Sequence, residues 1–257
     1  MSKEHLFPDW LEQLFPRSPS DTHTHGNTTW VDMTPGGKTP ITQERKRQGQ
    51  AATLKVRVVC ETCNNGWLSR LEERTKPLLT HLIKGHAISL GVQEQLQLAT
   101  WAVKTIMTAE FYDRKKVAIP QDERTSLMQN LFPPSNGWWI WISGNQGVDW
   151  QTGLYHFAAR LNYFAGPISN VPPIDPKTAE IINLQSTTIG IGRLMIFSVS
   201  TTVRNGAFSL TNPEAADLKP IWPQSLSSIP WPPSRLFTDA EIDFIARNVP
   251  RSYGVPL

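Results

Sequence analysis

Cysteine is nearly absent from this chain: 257 residues hold two, Cys60 and Cys63, with two residues between them. Such neighbours cannot staple distant segments, so a disulfide framework is excluded. Long apolar runs are also missing. None approaches the roughly 20 residues that span a bilayer, and no basic-then-apolar leader opens the sequence. These absences predict a soluble protein of the cytoplasm, without a membrane partner, where a CxxC pair signals metal or redox chemistry. What is plentiful is tryptophan and proline, with 10 and 21 residues, which predicts aromatic-rich packing and long irregular connections. Apolar residues make up 39%, enough for the core of one large domain or two small ones.

Acidic and basic residues nearly balance, at a net charge of +3, but their placement is uneven. Lys38, Arg45, Lys46, Arg47, Lys55 and Arg57 face only Glu44 between Gly37 and Arg57. This is a local +5 that leaves the rest of the chain at −2. A basic segment of this kind is a candidate phosphate-binding surface; a solvated loop is the plainer alternative.

Along the chain, a short extended stretch near Lys3 to Phe7 precedes Pro8, which starts a helical turn. Residues 16 to 50 read as a long loop or loose hairpin around Pro35-Gly36-Gly37. Leu54 to Val59 alternates as a half-buried strand does. A helix follows from Asn64, with Pro77 expected to break or restart it. Leu96, Ala99, Val103, Ile106 and Met107 mark one face of an amphipathic helix. After a short helix at Asp122 to Leu131, strand-like segments cover 137–144, 155–164 and 187–200. Trp138, Trp139 and Trp141 alternate in the first of these, as packing residues. A last helix is expected at Asp239 to Asn248. The order predicts an α+β fold, with a mostly antiparallel sheet in its second part and a boundary near residue 90.

The stretch "VVCETCNNGWLSRLE" and the earlier "KEHLFPDWL" together carry the strongest signal. They resemble the His-Me finger (HNH-type) nucleases, most nearly the endonuclease VII type, over the first third of the chain. The resemblance implies a ββα-metal module in residues 1–90, with the basic segment as an insertion, and an α+β accessory domain in 91–257. It implies a metal-dependent DNA endonuclease of phage or defence systems. His5 would be the general base, Glu4 and Asn64 the ligands of Mg²⁺ or Mn²⁺, and Cys60 and Cys63 half of a zinc site. DNA is the implied partner, RNA an open alternative.

The chemistry is coherent on its own terms. An imidazole can take a proton from water near pH 7. A hard cation screens the phosphate oxygens and prefers carboxylate and amide oxygens as ligands. Adjacent strand residues face opposite ways, so Glu4 and His5 can serve one site only at a strand edge or a distortion. The pair of cysteines that would complete the zinc tetrahedron is absent from this chain. A late start of the sequence, degeneration of the site, and completion by His23 and His25 are the three explanations open. Asn64 and Asn65 also suit a helix N-cap, and Asn65 is expected to fill that role. Trp67 is expected in the core, and Glu72 and Glu73 as surface charge. The competing function is a non-catalytic nucleic-acid-binding module with a degenerate zinc finger.

Overall fold

The computed structural model describes residues 2–15, 22–28, 42–48, 55–112, 117–163, 180–203, 208, 210, 213–223 and 226–252. Strand β1 (Ser2–His5) leads straight into Leu6 and Phe7, which are buried. A 3-10 turn, Asp9–Gln13, follows Pro8 and buries Leu11. Strands β2 (Thr22–Thr28) and β3 (Thr42–Gln48) pair antiparallel, with His25 opposite Arg45. The hairpin is therefore the form this segment takes; the expected turn at Pro35 to Gly37, and Lys38, lie outside the described residues.

Strand β4 (Lys55–Val59) pairs antiparallel with β1. It passes into a single helical turn, α1 (Glu61–Cys63), a π-helical turn at Asn64–Leu68, and helix α2 (Ser69–Lys84). Pro77 lies inside α2 and does not end it. Leu71 and Thr75 are buried before it, and Leu78, Leu79, Leu82 and Ile83 after it belong to the main core. That burial outweighs the hydrogen bond the proline cannot make. The helix ends at Gly85, whose φ of 70° is left-handed.

Strand β5 (Ile88–Leu90) precedes α3 (Val92–Ala109). The expected one-sided burial of α3 gives way to burial on every side from Leu98 to Ala109, because α2 packs on one flank and the main sheet on another. Helix α4 (Gln121–Asn130) then leads to β6 (Trp138–Asn145), β7 (Thr152–Tyr163), β8 (Glu180–Ile191), β9 (Leu194–Thr201) and β10 (Lys219–Trp222). Their order in the sheet is β10-β6-β9-β8-β7, all antiparallel. Strand β11 (Ile229–Trp231) returns to pair with β5, and β12 (Leu236–Phe237) adds to β6 in parallel. Helix α5 (Asp239–Ser252) closes the chain. The architecture is α+β.

The run 187–200, read as one strand, is the end of β8, a turn and most of β9. Gly192 makes the turn possible: its φ is 52°, and a Cβ there would sit 2.6 Å from the carbonyl oxygen of Ile83. Arg193 N–H donates to that same oxygen at 2.9 Å, so the β8–β9 turn is docked on the end of α2. One face of the sheet buries Trp138, Ile140, Ile142 and Ile196 in a core that extends from Leu6 to Trp231 and runs unbroken past residue 90. The other buries Trp141 and Phe197 against Ile242 and Ile245 of α5, with Trp139 packed alongside. The alternating tryptophans thus serve packing on both faces. Trp67 is half-buried against the first core.

Candidate functional site

Glu4 and His5 point to opposite sides of β1. Glu4 lies opposite Val56 in β4 and both are buried; His5 lies opposite Lys55, which is exposed. The register of the two strands slips between Ser2 and Glu4. A slip of this kind re-aims side chains locally, and the charges of Glu4 and Glu72 both reach the His5 imidazole.

On the outer side, Nε2 of His5 abuts the Asp9 carboxylate, four residues on in the 3-10 turn. Burial lowers the His5 pKa from its ordinary 6.5; Asp9 pulls it up and Lys55 pushes it down, and the net shift is downward. His5 is therefore neutral at pH 7, the form a general base requires. Lys55 and Arg57 are both exposed on β4, so positive charge flanks the imidazole.

On the inner side, Glu4 meets a residue that the sequence motif does not contain. Lys104 of α3 places its Nζ 2.9 Å from Glu4 Oε1 and 2.5 Å from Glu72 Oε1 of α2. The lysine side chain is 1% exposed and that of Glu4 6%. Burial alone would lower the Lys104 pKa, but Glu72 and Glu4 outweigh it and hold the ammonium form. Glu72, expected at the surface, is half-buried and paired; Glu73 is exposed. Sequence reasoning missed Lys104, although it is the only charged residue between Glu94 and Glu110. A lone charge in so apolar a helix was the available signal.

The cysteine knuckle stands at the head of α2. Cys60 caps α1: its Sγ accepts from the N–H of Cys63 at 3.1 Å. The cap is thus Cys60, and Asn65, expected in that role, is exposed within the π turn. Asn65 lies past the start of α1, inside the following turn, so the cap position falls to Cys60. The bond to Cys63 lowers the Cys60 pKa and raises that of Cys63. Asn64 closes α1, its N–H bonded to the Cys60 carbonyl at 2.9 Å. Gly66 departs from helical geometry, with φ −100° and ψ −108°, and π turns of this kind are common at functional sites. Among the described residues, no three side chains of His, Cys, Asp or Glu gather as a metal-holding group. The side chains of His23 and His25 lie outside the described part of β2.

The basic residues are spread over two elements. Arg45, Lys46 and Arg47 are in β3, opposite His25, Thr24 and His23, and Lys55 and Arg57 are in β4.

A second polar cluster lies beyond α3. Glu110 accepts from Ala118 N–H at 2.6 Å and Ile119 N–H at 3.0 Å and pairs with Arg124. His156 Nδ1 lies 2.7 Å from Thr187 Oγ1, which itself donates to Gln185 Oε1 at 2.7 Å. The threonine hydroxyl has given its hydrogen to glutamine, so it accepts from His156 and is not poised as a nucleophile. Glu123 accepts from Trp138 Nε1 at 2.7 Å. Burial raises its pKa to about 7 against an ordinary 4.5, despite that bond. Its protonated form is thus favoured by folding. The stabilisation is complete below about pH 4.5 and is lost as pH rises through 7, by about 3 kcal/mol at most. Glu123→Gln should keep the tryptophan bond and abolish this slope. Urea midpoints at pH 5 and pH 8 should diverge more in the wild type than in the variant; equal divergence would assign the slope elsewhere.

No helix among the described residues is long and apolar enough to cross a membrane. Comparison with protein-family models, with curated proteins and with solved structures finds no match.

Proposed function

We propose that the chain is a metal-dependent DNA endonuclease of the HNH type. One observation carries this reading: the strand bearing Glu4 and His5 pairs antiparallel with the strand that delivers Cys60, Cys63 and Asn64 to the head of α2. The resulting β-β-α order has the acid–histidine pair on its first strand and the asparagine where the helix begins.

The donor chemistry fits a hard divalent cation. Glu4 offers a carboxylate oxygen and Asn64 an amide carbonyl. Lys104 engages one oxygen of Glu4, and the trio Glu4, Glu72 and Lys104 keeps a formal negative charge that a cation would balance. Glu4 and Asn64 would hold Mg²⁺ or Mn²⁺, which when bound supplies charge screening for the phosphate oxygens. His5, neutral and oriented by Asp9, takes the proton from the attacking water. Cys60 and Cys63 suit two positions of a zinc tetrahedron, with the remaining ligands to come from elsewhere. Lys38, Arg45, Lys46, Arg47, Lys55 and Arg57 would track the DNA backbone.

The reading is tested by incubating supercoiled plasmid and branched DNA with the purified chain in Mg²⁺, Mn²⁺ or EDTA. Cleavage with either cation and none in EDTA is the expected result. DNA binding without cleavage under any divalent ion would favour the second reading, a non-catalytic nucleic-acid-binding module. A specific observation supports that alternative: among the described residues, no three side chains of His, Cys, Asp or Glu gather as a metal-holding group.

Both readings share an expectation about the basic hairpin. Affinity for DNA should fall with salt, with a log–log slope of about −0.9 per neutralised phosphate. Replacing Arg45, Lys46 and Arg47 together with alanine should flatten that slope by up to about three units, measured by fluorescence anisotropy across a salt series. Unchanged slope would remove the hairpin from the interface.

A further inference from the structure

The nuclease motif accounts for Glu4, His5 and Asn64 but not for the lysine beside Glu4. Lys104 comes from α3, a helix whose other residues from Leu98 to Ala109 are uncharged and buried. Packing alone would place an apolar side chain there, because an isolated buried ammonium is strongly unfavourable. Its compact head reaches two carboxylates from different elements, Glu4 of β1 at 2.9 Å and Glu72 of α2 at 2.5 Å. It takes one oxygen of each, both Oε1.

Resting on the nuclease reading, we propose that Lys104 is a positioning residue of the Glu4 site. It fixes the Glu4 carboxylate by one oxygen and aims the other at the divalent cation, with Glu72 as the second anchor. The site is thereby completed from outside the first 90 residues. Glu4 sits on a four-residue strand with a slipped register, so the backbone alone holds it loosely. An ammonium anchored from two helices removes that freedom. Groups that orient a metal ligand from behind affect metal affinity by roughly 10–100-fold.

The test uses the full chain and Mn²⁺ alone, followed by calorimetry or by the EPR signal of the free ion. Glu4→Gln first identifies the site, and should weaken Mn²⁺ binding sharply. Lys104→Met combined with Glu72→Gln removes one positive and one negative charge, so the formal charge around Glu4 is unchanged. The Mn²⁺ Kd of this folded double variant should rise by about 10–100-fold. Lys104→Arg, which keeps the charge, serves if the double variant does not fold. Its planar fork cannot reproduce the same two contacts, and its Kd should rise in the same direction. An unchanged or tighter Kd in the folded variant overturns the positioning role while leaving the nuclease reading intact. Mn²⁺ binding in the wild type that is indifferent to Glu4→Gln overturns the metal site itself, and this proposal with it.

Discussion

His5→Ala should lower Mg²⁺- or Mn²⁺-dependent DNA cleavage by about 10²–10⁴-fold, the usual worth of a positioned base. DNA binding should persist, because burial keeps the imidazole neutral at pH 7 and the basic residues of β3 belong to a separate hairpin. The pH profile follows from the same shift. Since the His5 pKa lies below 6.5, the wild-type rate should hold on the alkaline side and fall only as the medium becomes acidic enough to protonate the ring. Asp9→Asn should weaken the orientation of the ring and reduce the rate less than removal of His5 itself. Single-turnover rates across pH 5 to 8 would check both statements. Full activity in His5→Ala would mean that any cleavage arises elsewhere in the molecule.

Lys104→Met should destabilise the fold by about 3–5 kcal/mol, the effect of removing one partner from a buried ion pair. The cause lies less in the lost attraction than in what stays behind. Glu4, 6% exposed, and Glu72, 24% exposed, would face each other without a cation between them. Replacing the pair by groups that balance is far milder, so adding Glu72→Gln should recover a substantial part of the loss. Urea unfolding of the three chains would measure it. A Lys104→Met midpoint near that of the wild type would show that solvent reaches the trio and that the pair contributes little.

These two residues mark how far the sequence could be read. The placement of Glu4 and His5 on a strand, and of Cys60, Cys63 and Asn64 between a strand and a helix, was legible because each belongs to a short local pattern. Lys104 was not, because its partners lie 100 and 32 residues away and only tertiary packing brings them together. The amphipathic reading of α3 placed Leu96, Ala99, Val103, Ile106 and Met107 on one face and left Lys104 on the other, as if that face met water. Two packed neighbours removed the water. Glu72 was misplaced for the same reason, since its helix face is covered by α3. The α+β class and the tryptophan alternation in β6 were legible from period and composition. The turn at Gly192 was hidden within a run of strand-forming residues, where only Gly192 and Arg193 mark the reversal. Pro77 misled in the opposite sense: the burial of α2 on both sides of it overrode the local signal.

The central claim is that Glu4 and Asn64 hold a divalent cation at the head of α2. Anomalous diffraction from crystals of the full chain soaked in Mn²⁺ measures it directly. The account predicts one strong peak within about 2.5 Å of a Glu4 carboxylate oxygen and of the Asn64 amide oxygen, with Lys104 still bonded to Glu4. Mn²⁺ absent from that position, or bound there without either side chain, would contradict it.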